Sequence, residues 1–308
     1  MIKSGFGRLM TAMVTPMRPD GAVDFERAGE LAQRLVSQGT ESVVVCGTTG
    51  ESPTLSHDEK LRLFQAVRQA VPGTPVVAGT GSNCTRSTIE FSRHARGYGV
   101  DALLVVAPYY NKPPQEGLYA HFKAVAEAVD LPVILYNIPG RTGVEISPAI
   151  LARLAEIPNV VAVKQSLPSL DPVSTLLAGL QTLASEGRPP WTRPGRAMEI
   201  YSGDDSATLP MMAVGGLGVV SVASHVAGPA LQQMMQAFVE GRVEEATALH
   251  LRLMPLFTGL FATTNPILVK AALKLQGFPV GGVRLPLVEA TPQQVEQLRQ
   301  VMDRVGVL

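Results

Sequence analysis

The chain has 308 residues and equal numbers of basic and acidic side chains, 26 Lys and Arg against 26 Asp and Glu, so its formal charge is zero. A hydrophobic content of 46% excludes a disordered polypeptide, and no basic cluster marks a surface for nucleic acid or an acidic membrane. Two cysteines, Cys46 and Cys84, are too few for a disulfide scaffold or a zinc site. The first residues lack the apolar stretch of a secretory signal, so we expect a cytoplasmic protein.

Short apolar runs recur along the first three quarters of the chain and predict strands. Most are apolar throughout, which is typical of parallel strands buried on both faces. In chain order the predicted strands are Arg8–Val14, Ser42–Cys46, Pro75–Gly79, Ala102–Ala107, Pro132–Tyr136, Val160–Lys164, Glu199–Ser202 and Gly218–Val222.

Helical patterns lie between these strands. Asp24–Ser37 opens with an Asp cap, and Ser56–Val71 opens with a capping box of Ser56 and Glu59. The alternation predicts an α/β fold, a (β/α)8 TIM barrel. A doubly wound sheet is the alternative, but no glycine-rich dinucleotide turn follows the first strand.

Residues 206–239 carry no Asp, Glu, Lys or Arg, which raises the question of a membrane span. A spanning helix needs about 20 apolar residues without interruption. Helix-breaking residues interrupt this stretch at Pro210, Gly215, Gly216, Gly218 and Pro229. We therefore predict a helix over 207–214, a glycine turn, the strand from Gly218 and then a loop, all inside a globular protein.

The strand signal stops after Gly228. We predict that residues 1–227 form the barrel with the active site and that 228–308 form a C-terminal helical extension. Its predicted helices are 229–241, 243–258, 264–276 and 292–305. Residues 186–196, rich in Pro, Arg and Gly, predict an exposed loop.

In this barrel class the active site lies at the carboxyl ends of the strands. Hydroxyl groups dominate the predicted strand ends, and only one lysine is among them. No His, Cys or carboxylate group shows metal-ligand spacing, and no nucleophile elbow or phosphate loop is present. We therefore expect no metal and no cofactor.

That lysine is Lys164, which follows the apolar run Val160–Val163. An amine removed from water at a barrel mouth is available as a nucleophile, so we predict Schiff-base formation with a carbonyl substrate. The alternative is a core lysine in a salt bridge. The remaining six lysines are placed in tails, loops or helices: Lys3, Lys60, Lys112, Lys123, Lys270 and Lys274.

Two further features suit this chemistry. Tyr136 ends the preceding strand and offers a phenol for proton transfer, although a rim tyrosine bonded to backbone would have the same pattern. The turn Gly47–Gly50 offers backbone N–H groups and two hydroxyls to a carboxylate, although ordinary glycine turns share this pattern.

Taken together, several motifs resemble the dihydrodipicolinate synthase family of pyruvate-dependent class I aldolases, which also includes N-acetylneuraminate lyase. The resemblance extends from about Gly5 to Pro286. It implies an enzyme that condenses pyruvate with L-aspartate 4-semialdehyde in lysine and diaminopimelate biosynthesis, as a homotetramer or dimer. The motifs are Gly47-Thr-Thr-Gly-Glu-Ser52, Pro108-Tyr-Tyr-Asn-Lys-Pro-Pro114, Leu135-Tyr-Asn-Ile-Pro-Gly-Arg-Thr-Gly143, Val163-Lys164, Ser202-Gly-Asp-Asp205, Asn265-Pro266-Ile267 and Arg284-Leu-Pro286.

The resemblance also implies a role for each matching residue. Lys164 forms an imine with pyruvate, and the enamine derived from it attacks the aldehyde. The implied proton relay is Thr48, Tyr136 and Tyr110, with Tyr110 reaching in from a neighbouring subunit. The implied substrate-binding residues are Thr48 and Thr49 for the pyruvate carboxylate, Arg141 for the semialdehyde carboxylate, and Gly203 and Val220 along the pyruvate pocket.

The chain departs from the family pattern after the lysine, where Gln165-Ser166 replaces the usual acidic residue. It also departs at the positions that match the lysine-inhibition site of many relatives. Ser87 stands where that pattern has glutamate, and Lys60 stands where it has histidine, so the charge change disfavours a cationic ligand. We expect weak or no inhibition by lysine. The matching positions are Ser52, Pro53, His57, Lys60, Asn83, Ser87 and Tyr109.

Two other functions remain open from the residues. One is another pyruvate-dependent aldolase, such as an N-acetylneuraminate or keto-sugar-acid lyase, against which Arg141 argues. The other is a non-catalytic barrel that binds a keto acid, against which the nucleophilic Lys164 argues.

Overall fold

A computed structural model of the chain describes residues 5–185, 191–193 and 196–308. The strands of these residues are β1 (Leu9–Ala12), β2 (Ser42–Val45), β3 (Val76–Gly79), β4 (Ala102–Val106), β5 (Val133–Asn137), β6 (Val160–Gln165), β7 (Trp191–Arg193), β8 (Arg196–Ala197), β9 (Glu199–Ser202) and β10 (Gly218–Ser221).

Twelve α-helices accompany the strands in the described ranges. They are α1 (Phe25–Ser37), α2 (His57–Ala70), α3 (Thr85–Arg96), α4 (Gln115–Glu127), α5 (Pro139–Thr142), α6 (Pro148–Leu154), α7 (Asp171–Ser185), α8 (Thr208–Ala213), α9 (Ser224–Val239), α10 (Val243–Gly259), α11 (Ile267–Leu275) and α12 (Pro292–Val305).

Eight of the described strands close into a barrel, in the order β1-β10-β9-β6-β5-β4-β3-β2. Helices lie between successive strands and the helices α9 to α12 follow the last strand, which confirms the predicted (β/α)8 fold with C-terminal helices. All eight predicted barrel strands are present, with ends that shift by a residue or two. Their side chains are almost entirely buried, which explains the continuous apolar runs in the sequence.

The chain separates into two compact units, which we describe individually. One contains the described residues up to Val76 and from Val220 onward, and the other contains the described part of Val77–Val219. In the second unit β6 pairs in parallel with β5 and with β9, so that Lys164 is opposite both Tyr136 and Tyr201. The division predicted at residue 227 stays a prediction.

Side-chain caps start the first two helices where the sequence predicts them. The Asp24 carboxylate accepts from the Arg27 backbone N–H at 3.0 Å. Ser56 and Glu59 form both bonds of a capping box, at 2.8 and 3.2 Å. These bonds satisfy N–H groups that a helix leaves without an internal acceptor.

The structure corrects the loop predicted after the last barrel strand. Helix α9 begins there at Ser224, whose N–H donates to Ser221 Oγ at 2.8 Å, and not at residue 229. The helix is kinked at Ala227, with φ −137° and ψ 25°, and Pro229 follows just after the kink. Proline has no backbone N–H group, and the first residues of a helical segment do not need one for the helix, so Pro229 is tolerated here. No helix of the described residues is long and apolar enough to cross a membrane.

The loop predicted over 186–196 is wrong for the part that can be described. Strands β7 and β8 pair antiparallel there, with Trp191 opposite Ala197 and Arg193 opposite Arg196. Residues 186–190 and 194–195 of the predicted loop lie outside the described residues.

A fully buried histidine joins β1 to the start of α9 in the first unit. The His225 Nε2 atom accepts from the Val14 backbone N–H at 3.1 Å, so the hydrogen is on Nδ1, which donates to Val222 O at 2.8 Å. Burial lowers the pKa of His225 from 6.5 to about 4. The imidazole is therefore neutral in the folded protein.

We expect the protein to lose stability as pH falls from 6.5 towards 4. In that window the unfolded chain binds a proton that the folded His225 does not, so the free energy of unfolding falls by about 2–3 kcal/mol. Urea unfolding at pH 7 and pH 4.5 measures this loss. The His225→Gln variant cannot titrate and should lose correspondingly less, and an equal loss in both proteins would contradict the assignment.

Candidate active site

Lys164 lies near the carboxyl end of β6 and is 5% exposed. Its Nζ atom is 4.1 Å from the centre of the Tyr136 ring, and Tyr136 is 4% exposed. The two side chains meet because β5 and β6 are paired in a register that sets Tyr136 opposite Lys164. The structure thus brings together the predicted nucleophile and one predicted proton carrier.

Gly203 provides the space beside Lys164. It follows β9, and its backbone N–H donates to Gln165 O at 2.7 Å. A Cβ atom at this position would be 2.0 Å from Ser166 Oγ and 3.0 Å from Lys164 Cε. An added side chain must displace the Ser166 hydroxyl and would press against Lys164 Cε.

Asp204 is a functional candidate that the sequence analysis quoted within a motif but gave no role. Burial raises the pKa of its carboxyl group, and the positive charges of Lys164 and Arg141 partly oppose that rise. The carboxyl group is therefore within electrostatic reach of both cations. In the sequence, Asp204 could have been identified as a candidate from its position just after the end of a buried strand, in Ser202-Gly-Asp-Asp205.

The glutamine that replaces the family's usual acidic residue has a structural role. Gln165 is 1% exposed, and its Oε1 accepts from Asn137 Nδ2 at 2.9 Å. The Asn137 side chain also accepts from the Ile146 backbone N–H at 3.0 Å and donates to Ile146 O at 3.1 Å. Because successive side chains of a strand point to opposite faces, Gln165 points away from the face that carries Lys164. It instead ties the ends of β5 and β6 to residues 138–146.

Arg141 lies in that segment, on the short helix α5, and its side chain is exposed. Thr142 holds the helix end, since its hydroxyl lies 3.0 Å from Ile138 O and 2.8 Å from Val144 O and donates its one hydrogen between these two acceptors. A guanidinium group on a braced, exposed turn is able to bind a carboxylate through two parallel hydrogen bonds.

Thr48 and Thr49 follow β2 in the first compact unit. Thr48 is half-buried and Thr49 is 3% exposed. The Thr49 hydroxyl accepts from Asn265 Nδ2 at 2.8 Å, a contact that the sequence did not predict. Glu51 ends the same turn in the left-handed region, with φ 57°.

The remaining predicted residues are Tyr110 and Val220. Tyr110 is 88% exposed, and its backbone has a φ of 74°. Val220 is fully buried within β10. Their predicted roles stay predictions.

A second buried lysine was missed by the sequence analysis. Lys270 on α11 is 4% exposed, and its Nζ is 2.5 Å from Glu51 Oε1 and 2.6 Å from Gly282 O. Lys270 thus has the environment that was the alternative for Lys164, a salt bridge in the protein core. Burial alone therefore does not distinguish the two lysines, but the partner does, since Lys164 has an aromatic face where Lys270 has a carboxylate.

The arrangement around Lys164 suits addition of an amine to a carbonyl carbon. The amine is shielded from water, a phenol is beside it, and a carboxyl group is within electrostatic reach. Across the described residues, no group of three or more His, Cys, Asp or Glu side chains could hold a metal ion.

The sequence matches the Dihydrodipicolinate synthetase family over residues 5–305. It is 58% identical to the 4-hydroxy-tetrahydrodipicolinate synthase of Symbiobacterium thermophilum, over 98% of this chain and 99% of that protein. It is 55% identical to the 4-hydroxy-tetrahydrodipicolinate synthase of Thermosynechococcus vestitus, over 98% of each chain.

Solved structures of similar proteins agree in fold. The dihydrodipicolinate synthase of Cyanidioschyzon merolae, solved with lysine bound, superposes with a TM-score of 0.91 at 46% identity, over 98% of this chain and 99% of that one. The chloride-inhibited enzyme of Acinetobacter baumannii, solved with pyruvate, superposes with a TM-score of 0.90 at 39% identity, over 98% of this chain and 100% of that one.

We expect Gly203→Ala to slow the reaction of Lys164 with a keto acid by at least about tenfold, because the added methyl group must displace the lysine or Ser166. Borohydride trapping with pyruvate measures the rate. Gly179→Ala on α7 is the control, because nothing lies within 4 Å of its added atom. Equal trapping rates in the two variants would show that the space beside Gly203 is not needed.

Proposed function

Because the chain belongs to the Dihydrodipicolinate synthetase family, we propose that it condenses pyruvate with L-aspartate 4-semialdehyde to 4-hydroxy-tetrahydrodipicolinate. The enzyme is then a class I lyase of lysine and diaminopimelate biosynthesis, which acts through a Schiff base. The observation that carries the proposal is the buried amine of Lys164 against the ring of Tyr136.

The first step is attack of the Lys164 amine on the keto carbon of pyruvate. The carbinolamine loses water to form an imine, and loss of a methyl proton then gives the enamine. The enamine carbon attacks the aldehyde carbon of the second substrate and forms the new carbon–carbon bond. Because the product is cyclic, the amino group of the semialdehyde then displaces Lys164 from the former keto carbon and frees the enzyme.

These steps require proton transfers, which we assign to Tyr136, Thr48 and Tyr110. Tyr136 is already in contact with Lys164. The 88% exposure of the Tyr110 side chain supports a role in which it enters the site of a neighbouring subunit. The active form is then a homo-oligomer, a dimer or a tetramer.

Carboxylate recognition divides between two regions of the chain. Thr48 and Thr49, on the turn after β2, bind the carboxylate of pyruvate, and Gly203 and Val220 line its pocket. Arg141 binds the carboxylate of the semialdehyde, since its guanidinium group is exposed and lies on the segment braced by Asn137.

Two further predictions rest on the same proposal. Where the lysine-inhibition pattern has a histidine and a glutamate, this chain has Lys60 and Ser87. These replacements disfavour a cationic ligand, so we predict weak or no inhibition by lysine. The cytoplasmic location also stays a prediction.

Pyruvate and borohydride should label Lys164 and no other lysine. Reduction of the imine adds pyruvate less one oxygen atom to the peptide that contains Lys164, and peptide mass spectrometry locates it. Lys270 is the internal control, because it is as buried but is ion-paired with Glu51. Labelling of Lys270 or Lys60, or no labelling of any lysine, would contradict the proposed chemistry.

Replacing Arg141 should affect only the second substrate. For Arg141→Ala we expect the KM for L-aspartate 4-semialdehyde to rise roughly ten- to hundredfold, the effect of losing a hydrogen bond between charged groups. Imine formation with pyruvate should persist.

Arg153→Ala is a matched control, because Arg153 is also exposed and is paired with Glu116 at 2.5 Å on a different surface. It should leave both KM values unchanged. An unchanged semialdehyde KM in Arg141→Ala, together with turnover of pyruvate and N-acetylmannosamine, would favour the keto-sugar lyase instead.

A further inference from the structure

Residues from the C-terminal helical region contact the turn Thr49–Glu51 on both sides of Gly50. Asn265 Nδ2 donates to Thr49 Oγ1 at 2.8 Å, and both residues are buried, at 6% and 3% exposure. On the other side, the Glu51 carboxylate is held by Lys270 at 2.5 Å and accepts from the Arg284 backbone N–H at 2.9 Å. None of these contacts is explained by the proposed function.

The turn is also closely packed and hydrogen-bonded at Gly50. The Thr15 hydroxyl donates to Gly50 O at 2.6 Å. A Cβ atom on Gly50 would be only 3.1 Å from backbone atoms of Cys46 and 3.2 Å from Met13 O. The Thr49 hydroxyl is therefore held in place by its neighbours in the chain and by Asn265.

The direction of the Asn265 bond decides what the Thr49 hydroxyl can do. An amide N–H group only donates, so the hydroxyl oxygen accepts from it and keeps its own hydrogen for another acceptor. A carboxylate only accepts hydrogen bonds. The contact thus leaves Thr49 as a donor suited to a carboxylate oxygen.

We propose that Asn265 is a positioning residue for substrate binding, which acts through Thr49 by directing its hydroxyl hydrogen towards the carboxylate of pyruvate. This proposal rests on the proposed function, in which Thr49 binds that carboxylate. The ion pair of Glu51 with Lys270 and the bond from Thr15 hold the turn so that the direction of the hydroxyl is retained.

The test is Asn265→Asp, which keeps the size of the side chain but replaces the donor by an acceptor. The Thr49 hydroxyl then donates to the new carboxylate and no longer to the substrate. We expect the pyruvate concentration for half-maximal borohydride trapping to rise at least about fivefold, with the maximal trapping and kcat changed far less. An unchanged half-saturation would mean that the amide oxygen faces Thr49, and it would overturn the proposal.

A double-mutant cycle with Thr49→Val separates positioning from direct effects. If Asn265 acts through the hydroxyl, Asn265→Asp should have little further effect on half-saturation once Thr49→Val has removed that hydroxyl. If the full effect of Asn265→Asp persists in the Thr49→Val protein, the new charge repels the substrate directly and the proposal is wrong.

A matched control tests whether a general loss of stability produces the same change. Asn159→Asp removes an amide NH2 group whose two hydrogens are donated among three nearby carbonyl oxygens, those of Ala126, Val129 and Leu131, in the other compact unit. It should lower the Tm and leave the half-saturation for pyruvate unchanged, and an equal rise in this variant would count against a specific role of Asn265. Failure of the proposed function is a separate outcome, because it would appear in the unaltered protein, for example as the absence of an imine with pyruvate.

Discussion

The chemistry depends on a primary amine that is buried against an aromatic ring. Lys164 and Lys270 are buried to the same extent, yet Lys270 is bound to Glu51 and to a backbone oxygen, whereas Lys164 faces the ring of Tyr136. A carboxylate partner favours the ammonium form, which is not a nucleophile. Lys164 instead contacts an aromatic ring through its amine, and its Cε atom lies beside Gly203.

The surroundings of that amine follow from the parallel pairing of three strands. The register of β6 with β5 and β9 sets Lys164 opposite Tyr136 and Tyr201, and the backbone of Gly203 bonds to Gln165. On the other face, Gln165 and Asn137 tie the strand ends to the segment that carries Arg141. One pair of strand ends therefore supports the proposed nucleophile on one face and braces the proposed substrate arginine from the other.

The C-terminal helical region does more than cover apolar surface. Asn265 and Lys270 contact the turn that carries Thr48 and Thr49, and the buried ion pair with Glu51 fixes the end of that turn. Buried ion pairs contribute little net stability, because the cost of desolvation offsets much of their attraction, but they strongly disfavour arrangements that leave one charge unpaired. Such a pair is suited to holding a binding turn in one conformation.

The sequence by itself determined the eight barrel strands, the capped starts of α1 and α2 and the place of Lys164 at a strand end, because apolar runs and caps act over a few residues. It did not determine that α9 begins at Ser224, before Gly228 and Pro229, that Lys270 is buried, or that Asn265 bonds Thr49. The last contact joins residues that are 216 positions apart. Local patterns show which residues are apolar or polar, but only the packed tertiary structure decides which polar group meets which partner.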